Sequence, residues 1–466
     1  MLPLLLALLV LQSCTAARVP TEVSSSVIQV NFRDLEADVG GGRTMCETIV
    51  FSSRSYGSTK INFVLTINSE GTDKAIHRYF YKDGYSEWSR IYADANSIGR
   101  YQAGLQRCFK AAVDAGFTVL HITPHVDPKD QNGKGVWRNL VKFDPLAKLG
   151  GYSYSDVLLE PAARALNAVV KKDTVVEFAL SAEQGLAIFS YPQQWLKLVS
   201  STKAISSAGK DKSKHLYGLS FNFDKVCGCV VPDESDPIKY NVTYLDRFKQ
   251  FKAKGGLNTV DVPGVKSLFS GVDFLGCSAY ASLPATLKLA DMEISIQTVA
   301  FELAAFGINL KDYMNKPFVY SEHGVGGYSS KGNQIAPDLA ALAKYPMRGV
   351  WLGQYSVESD PWRNAQYKQY RRQLYRLLSM WASQGGGPIY RIDGVYGWSV
   401  GTWDALGVHP SANSWAGTYA DDEIRTTIRG ANAKVNSRSA AVPAVTLEAG
   451  VFPTGPVPGE PIRGSP

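Results

Sequence analysis

The sequence predicts an α/β protein folded as a single (β/α)8 barrel with a disordered C-terminal tail. Three observations carry this expectation. Short β-rich runs alternate with amphipathic helical stretches from Val27 to Asn436, an order that implies a parallel sheet covered by helices. Eight such runs can be drawn, enough for closure into a barrel. Two of the runs end in a glutamate: Glu183 closes Val-Val-Glu-Phe-Ala-Leu-Ser-Ala-Glu, and Glu322 closes Pro-Phe-Val-Tyr-Ser-Glu. A carboxylate at the C-terminal end of a buried strand is poorly placed for stability and well placed for chemistry, because that rim is where barrels build their sites.

The elements follow in order. Val27–Phe32 is read as strand one, Thr44–Ser53 as a helix and Lys60–Ile67 as strand two. Gly99–Ala115 forms a helix stopped by Gly116, and Phe117–Pro124 is strand three. Ser155–Lys171 is helical, Thr174–Ser181 is strand four, and Tyr191–Ile205 is the next helix. His215–Phe223 is strand five. Tyr244–Ala253 and a short helix near Val265 lead into strand six, Asp273–Ser278. Leu287–Phe306 is helical, Phe318–Ser321 is strand seven, Asn364–Ser383 is the clearest helix, and Gly394–Thr402 is strand eight. A last helix covers Asp421–Asn436. The division is therefore a leader at 1–17, a barrel at 18–436 and a Pro/Gly-rich tail at 437–466, too poor in large apolar residues to offset its ordering entropy.

The leader reads as a secretory signal peptide. Leu2–Leu11 is almost wholly apolar and too short for a mature membrane span, and Ala16-Ala17 supplies small residues for cleavage. Leu11-Gln12-Ser13-Cys14 also reads loosely as a lipobox, although Gln12 and the missing basic residues fit that poorly. A secreted protein is expected. Cys14 leaves with the leader, so five cysteines remain from the six in the chain and at least one lacks an intramolecular partner. Cys227-Gly-Cys229 has no second pair at zinc-finger spacing and suits a disulfide better than a metal. Asn241-Val-Thr243 is a glycosylation sequon. The net charge of +7 is spread along the chain rather than clustered, which argues against a nucleic-acid partner. No membrane partner is expected, and the molecule is taken as a monomer.

Polar and aromatic residues gather where strands end. Strand three ends His121-Ile-Thr-Pro-His125-Val-Asp127, with His121 and His125 four residues apart and so about 13 Å from each other, too far for one metal ion. His125 suits a sugar hydroxyl or a loop cap. Trp137-Arg138-Asn139 follows on a long loop, where the Trp is either a sugar platform or an anchor. Strict alternation places Glu177 and Glu183 on one face of strand four, Glu177 deep and in need of a buried partner. Asn222 ends strand five, Tyr280 follows strand six, and Trp398 and Trp403 belong to strand eight.

Taken in order, Pro124-His125-Val-Asp127, Trp137-Arg138, Glu183, Asp273-Phe-Leu-Gly-Cys-Ser-Ala-Tyr280, Ser321-Glu322-His-Gly and Trp398 resemble the clan A glycoside hydrolases, most closely family 113, whose best-known members are endo-β-1,4-mannanases. The resemblance covers roughly Val27 to Asn436. It implies a retaining, endo-acting glycosidase working on a β-mannan or β-glucan type of polysaccharide or oligosaccharide. It makes Glu183 the acid/base and Glu322 the nucleophile, with Tyr280 holding Glu322 in line. His125, Trp137, Arg138, Asn222, Tyr280, Trp398 and Trp403 fall at substrate-contact positions. Two carboxylates suffice for that chemistry, so no cofactor or metal is expected. The chain departs from the pattern at Ala182, where clan A enzymes often carry Asn and family 113 often Thr, and so lacks a hydrogen-bonding side chain beside the acid. A non-catalytic carbohydrate-binding or wall-structural protein on the same barrel, and a transglycosylase, remain as alternative readings.

Overall fold

The computed structural model describes residues 18–441, except 30, 72–74, 85, 87–88, 130–134, 209–212, 233–238, 326–327, 330–337, 339–346, 349–360, 388, 400–403 and 410–419. Eight strands run parallel around a closed ring: β1 (Val23–Gln29), β2 (Lys60–Gly71), β3 (Val119–Lys129), β4 (Val175–Ala182), β5 (Lys214–Asn222), β6 (Phe274–Ala279), β7 (Phe318–His323) and β8 (Gly394–Gly397). Each pairs with its neighbour in sequence. The ring closes where Val23–Ser25 meets Val395–Gly397 on one side and Ser26–Gln29 meets Asn62–Leu65 on the other. The expected fold class is the one observed.

The strands form where buried apolar residues run together. β4 is Val-Val-Glu-Phe-Ala-Leu-Ser-Ala, and all but its first residue are buried. Such near-continuous burial belongs to parallel strands covered on both faces. Side-chain caps set where some of the helices start. Asp94 accepts from Ser97 N at 2.7 Å, and Ser97 Oγ accepts from Asp94 N at 2.9 Å, so Ala95–Asp114 begins with its first donors satisfied. At Ala365–Ala382 the Asn364 side chain accepts from Gln366 N at 2.8 Å and Tyr367 N at 3.3 Å.

Four differences from the sequence expectations stand out. β1 starts at Val23 rather than Val27 because Asn432, on the last helix, bonds both Val23 N and Val23 O, at 3.0 and 2.8 Å. An antiparallel hairpin, Ile76–Lys82 with Arg90–Tyr92, continues the sheet beyond the C-terminal half of β2 and walls one side of the mouth. Ser155–Leu159 is a π turn before Glu160–Val169. The last helix is Asp422–Ala441, so residues 437–441 of the expected tail are helical. The leader at 1–17 and residues 442–466 lie outside the described residues. Among the described residues no helix is long and apolar enough to cross a membrane.

Cys46 and Cys108 form a disulfide that pins the helix Met45–Ser53 to Ala95–Asp114, closing 62 residues. The entropy of a loop that long corresponds to about 4 kcal/mol of stabilisation. The double variant Cys46→Ala/Cys108→Ala should therefore melt several degrees lower in calorimetry; an unchanged melting temperature would contradict this role.

Candidate active site

Glu183 and Glu322 reach the mouth through the same backbone device. On β4, Ala179 pairs with Gly218 but Ala182 pairs with Ser220, so β4 carries one extra residue before Glu183. On β7, Tyr320 pairs with Cys277 but Glu322 pairs with Ser278, and the β8 side slips in the same interval. These are β-bulges, which re-aim side chains at barrel rims. The alternation expected to carry Glu177 to Glu183 is thus broken. Glu183 is brought into the mouth instead by a left-handed backbone, φ 56°, a conformation that costs about 1–3 kcal/mol in a non-glycine residue.

Each bulge frees a backbone carbonyl inside the barrel wall, and a side chain takes it up. Tyr154 donates its hydroxyl to Leu180 O at 2.8 Å in the β4 bulge. Asn62 donates Nδ2 to Ser321 O at 2.8 Å in the β7 bulge, and Thr123 orients Asn62 by donating to Oδ1 at 2.8 Å. Ser220 and Ser321 meet hydroxyl to hydroxyl at 2.5 Å across the interior.

The two acids are held differently. Tyr280 donates its hydroxyl to Glu322 Oε2 at 2.8 Å. His125 Nε2 lies 2.9 Å from Glu322 Oε1, off the line of a hydrogen bond. Glu183 Oε2 accepts from Arg138 Nη1 at 2.6 Å. The other edge of that guanidinium, Nε and Nη2, donates to Asp127 Oδ1 at 3.0 and 2.6 Å. Glu183 and Glu322 are 6% and 3% exposed, so both carboxyl groups sit in a weakly solvated mouth. Burial and the charges of Glu322 and Glu183 push the Tyr280 phenol far above its ordinary range, which keeps it a donor. Burial alone would raise the Asp127 carboxyl, but Arg138 and then His125 outweigh it and hold it low.

The expected residues are placed as follows. Asn222, Tyr280 and Trp398 stand at or just beyond the C-terminal ends of β5, β6 and β8, and His125 lies in the C-terminal half of β3. Their strands are parallel, so they share one mouth with Glu183 and Glu322. Trp398 stacks toward His125, with ring centres 6.5 Å apart and planes at 27°. Trp137 is half-buried under the Lys225 ammonium, 5.2 Å from its ring centre. Arg138 donates to the carboxylates of Glu183 and Asp127. Trp403 lies outside the described residues. Glu177 has the buried partner its depth demands: His121 Nδ1 is 3.0 Å away. Burial would raise the Glu177 carboxyl, and the His121 bond with the Lys60 charge holds it low.

Several residues escaped the sequence reading. Asp127 stood in the quoted motif without a role. Asn139 ties three rim loops together: its Oδ1 accepts from Gly185 N at 2.6 Å, and its Nδ2 donates to Lys225 O at 2.5 Å. Gly228, at φ 64°, lies so close to Asn139 that a Cβ there would meet its carbonyl oxygen at 1.9 Å. Cys227 and Cys229 are disulfide-bonded in this loop, and Cys277 is a free buried thiol. Glu302 closes the loop from behind by accepting from Lys225 N at 2.8 Å and Val226 N at 2.7 Å. Only the adjacent Trp137-Arg138-Asn139 and Cys-Gly-Cys runs hinted at so constrained a rim.

A parallel barrel with two partnered acids at its C-terminal mouth is the class that fold and site define. No protein-family profile and no curated protein matches the chain. Solved structures do. The GH113 β-mannanase of Alicyclobacillus acidocaldarius aligns at 12% identity over 90% of this chain and 98% of its own, with a TM-score of 0.46. Another GH113 β-1,4-mannanase aligns at 13% identity over 90% and 99%, with a TM-score of 0.43. The endo-1,4-β-mannanase of Rhizomucor miehei aligns at 12% over 89% and 95%, with a TM-score of 0.38. At such identities the likeness is one of fold, and function has to be argued from the site.

Two outcomes test this construction. Tyr154→Phe keeps the ring and strips the Leu180 carbonyl of its donor, so stability should fall by about 1–3 kcal/mol in urea denaturation, with kcat reduced; an unmoved urea midpoint would contradict the assignment. The second concerns pH. Burial, then the Asp224 charge, raises the Glu302 carboxyl to about 8, and burial raises Glu293 and Asp404 to about 7. A native group that keeps its proton where the unfolded chain releases it stabilises the fold at low pH and loses that contribution as pH rises. His323, pushed by burial from 6.5 down to about 4, acts in the opposite sense only below 6.5. From pH 6.5 to 8 the melting temperature should therefore fall, and Glu302→Gln should flatten the slope. An identical slope in the variant would exclude Glu302 as a contributor.

Proposed function

We propose that the protein is a secreted retaining glycoside hydrolase that cleaves a β-linked polysaccharide of mannan or glucan type. The observation that carries this reading is the pair of bulges that set Glu183 and Glu322 at one mouth, each with a partner suited to a different role. Glu322, held by the Tyr280 hydroxyl, is the nucleophile at the anomeric carbon. Glu183 gives a proton to the leaving oxygen and then takes one from the attacking water. The glycosyl–Glu322 bond formed in the first step breaks in the second, so both carboxylates return to their starting states. Trp398 beside His125 offers a flat apolar surface for a sugar face. Two disulfides within the described residues support an oxidising compartment, in line with the apolar leader.

The test is hydrolysis of mannan, glucan, xylan and galactan, scored as new reducing ends. Glu322→Ala should lose at least about 10³-fold in kcat, with azide restoring turnover and giving a glycosyl azide of inverted configuration. Glu183→Ala should spare substrates with good leaving groups in the first step. Wild-type products of inverted configuration would overturn the nucleophile assignment. Binding of glycans without any hydrolysis would make a carbohydrate-binding protein the better reading.

A further inference from the structure

The described groove between Ala285–Leu287 and the helix Ala365–Ala382, and the small hollow at Ser55, Arg425 and Arg429, hold nothing that identifies an occupant. The mouth itself carries more. A proton donor must wait with its proton on, yet Glu183 has a guanidinium against it at 2.6 Å, and a neighbouring cation favours the carboxylate form. That cation is not Glu183's alone. Asp127 Oδ1 takes two of the Arg138 donors, so the charge of one guanidinium is divided between two acids.

We propose that Asp127 is a positioning residue of this site: by sharing Arg138 with Glu183, it sets the fraction of Glu183 that stands ready as an acid. The proposal rests on Glu183 being the proton donor. Three features of the chain build the arrangement. Asp127 lies on β3, in register with Asn68 of β2, so its position is fixed by the sheet. Arg138 sits on the short turn Arg138–Leu140, and Asn139 next to it is bonded on both sides, to Gly185 N and Lys225 O. The guanidinium therefore cannot follow one acid and abandon the other by moving the loop. Exposure differs as well: the Asp127 side chain is 36% exposed and that of Glu183 7%. Arg138 and His125 hold the Asp127 carboxyl low against its burial, so Asp127 stays ionised while Glu183 changes state beside it.

Among the described residues, the other charged and titratable groups around Glu183 do not replace this pair. From β3, His125 lies against Glu322. From β7, Glu322 is taken up by the Tyr280 hydroxyl. From β6 and the residue after it, Cys277 and Tyr280 stay neutral, since burial pushes both the thiol and the phenol up. From the loop after β5, Lys225 and Asp224 neutralise one another at 2.8 Å. Arg138 is the cation in direct contact with Glu183, and Asp127 is the group that competes for it.

The experiment compares Arg138→Gln, Asp127→Asn and the charge-keeping Arg138→Lys in the full-length protein. Two readouts are taken: the kcat/KM–pH profile, and the 13C NMR titration of the Glu183 carboxyl, assigned by its loss in Glu183→Gln. Removing Arg138 should carry the basic limb of the profile and the Glu183 titration to higher pH. Removing Asp127 leaves Arg138 to Glu183 alone and should carry both to lower pH. Each shift should be roughly one pH unit, the size of one charge at this range. Arg138→Lys should stay nearer wild type, and serves if Arg138→Gln does not fold. A scaffold role for Arg138 or Asp127 would lower activity without moving either readout in opposite directions, and that result overturns the proposal. If the NMR titration moves as expected while no glycan is hydrolysed, the coupling stands and the glycosidase reading falls. If glycan is hydrolysed and neither readout moves, the glycosidase reading stands and the coupling falls.

Discussion

A closed barrel gives a charged residue on its inner face no route to bulk water, so every acid placed there needs a partner within reach. That constraint arranges this molecule's interior. Glu177, deep on β4, has His121 at 3.0 Å. Glu322 at the mouth has Tyr280 at 2.8 Å, with His125 beside it. Glu183 has Arg138, itself held by Asp127. The partners come from β3, from the loop behind it and from the end of β6. Pairing the acids therefore also fixes which strands must neighbour one another across the mouth.

Backbone geometry answers to the same demand. Regular strands alternate, and alternation alone would not bring the two rim glutamates where their partners wait. One extra residue in β4 and one in β7 change the aim. The cost is a freed carbonyl at each bulge, met by Tyr154 and Asn62. The polar layer under the mouth, with Asn62, Thr123, Ser220 and Ser321, is thus support for the bulges rather than a second site. Rigidity continues outward through Asn139, the Cys227–Cys229 loop and Glu302, which lock the loops after β3, β4 and β5 together.

Much of this was legible in the sequence. Apolar runs ending in Glu183 and Glu322 located both acids, and the eight-fold alternation of runs and helices gave the barrel. Glu177 was correctly read as needing a buried partner, because burial of an unpaired carboxylate is too costly to leave open. What stayed hidden has common causes. A bulge leaves no mark in a period-two pattern, so the face of Glu183 was argued from an alternation that β4 does not keep. The Ile76–Lys82 hairpin lies between β2 and a strong helix, where a βα unit needs no further strand. The pairing of Arg138 has no local mark, since its two carboxylate partners lie 11 and 45 residues away along the chain. The same holds for its neighbour Asn139, because an amide's two bonds to distant backbone have no local signature.

Covalent trapping tests the central claim most directly: that Glu322 is the group placed to attack sugar and Glu183 the group that moves the proton. The protein would be incubated with activated 2-deoxy-2-fluoro glycosides of the sugar it releases, digested, and analysed by mass spectrometry. The account requires one glycosyl adduct per chain, on the peptide containing Glu322, and none in Glu322→Gln. An adduct on Glu183 or on any other residue, or turnover of the parent substrate with no adduct at Glu322, would contradict it.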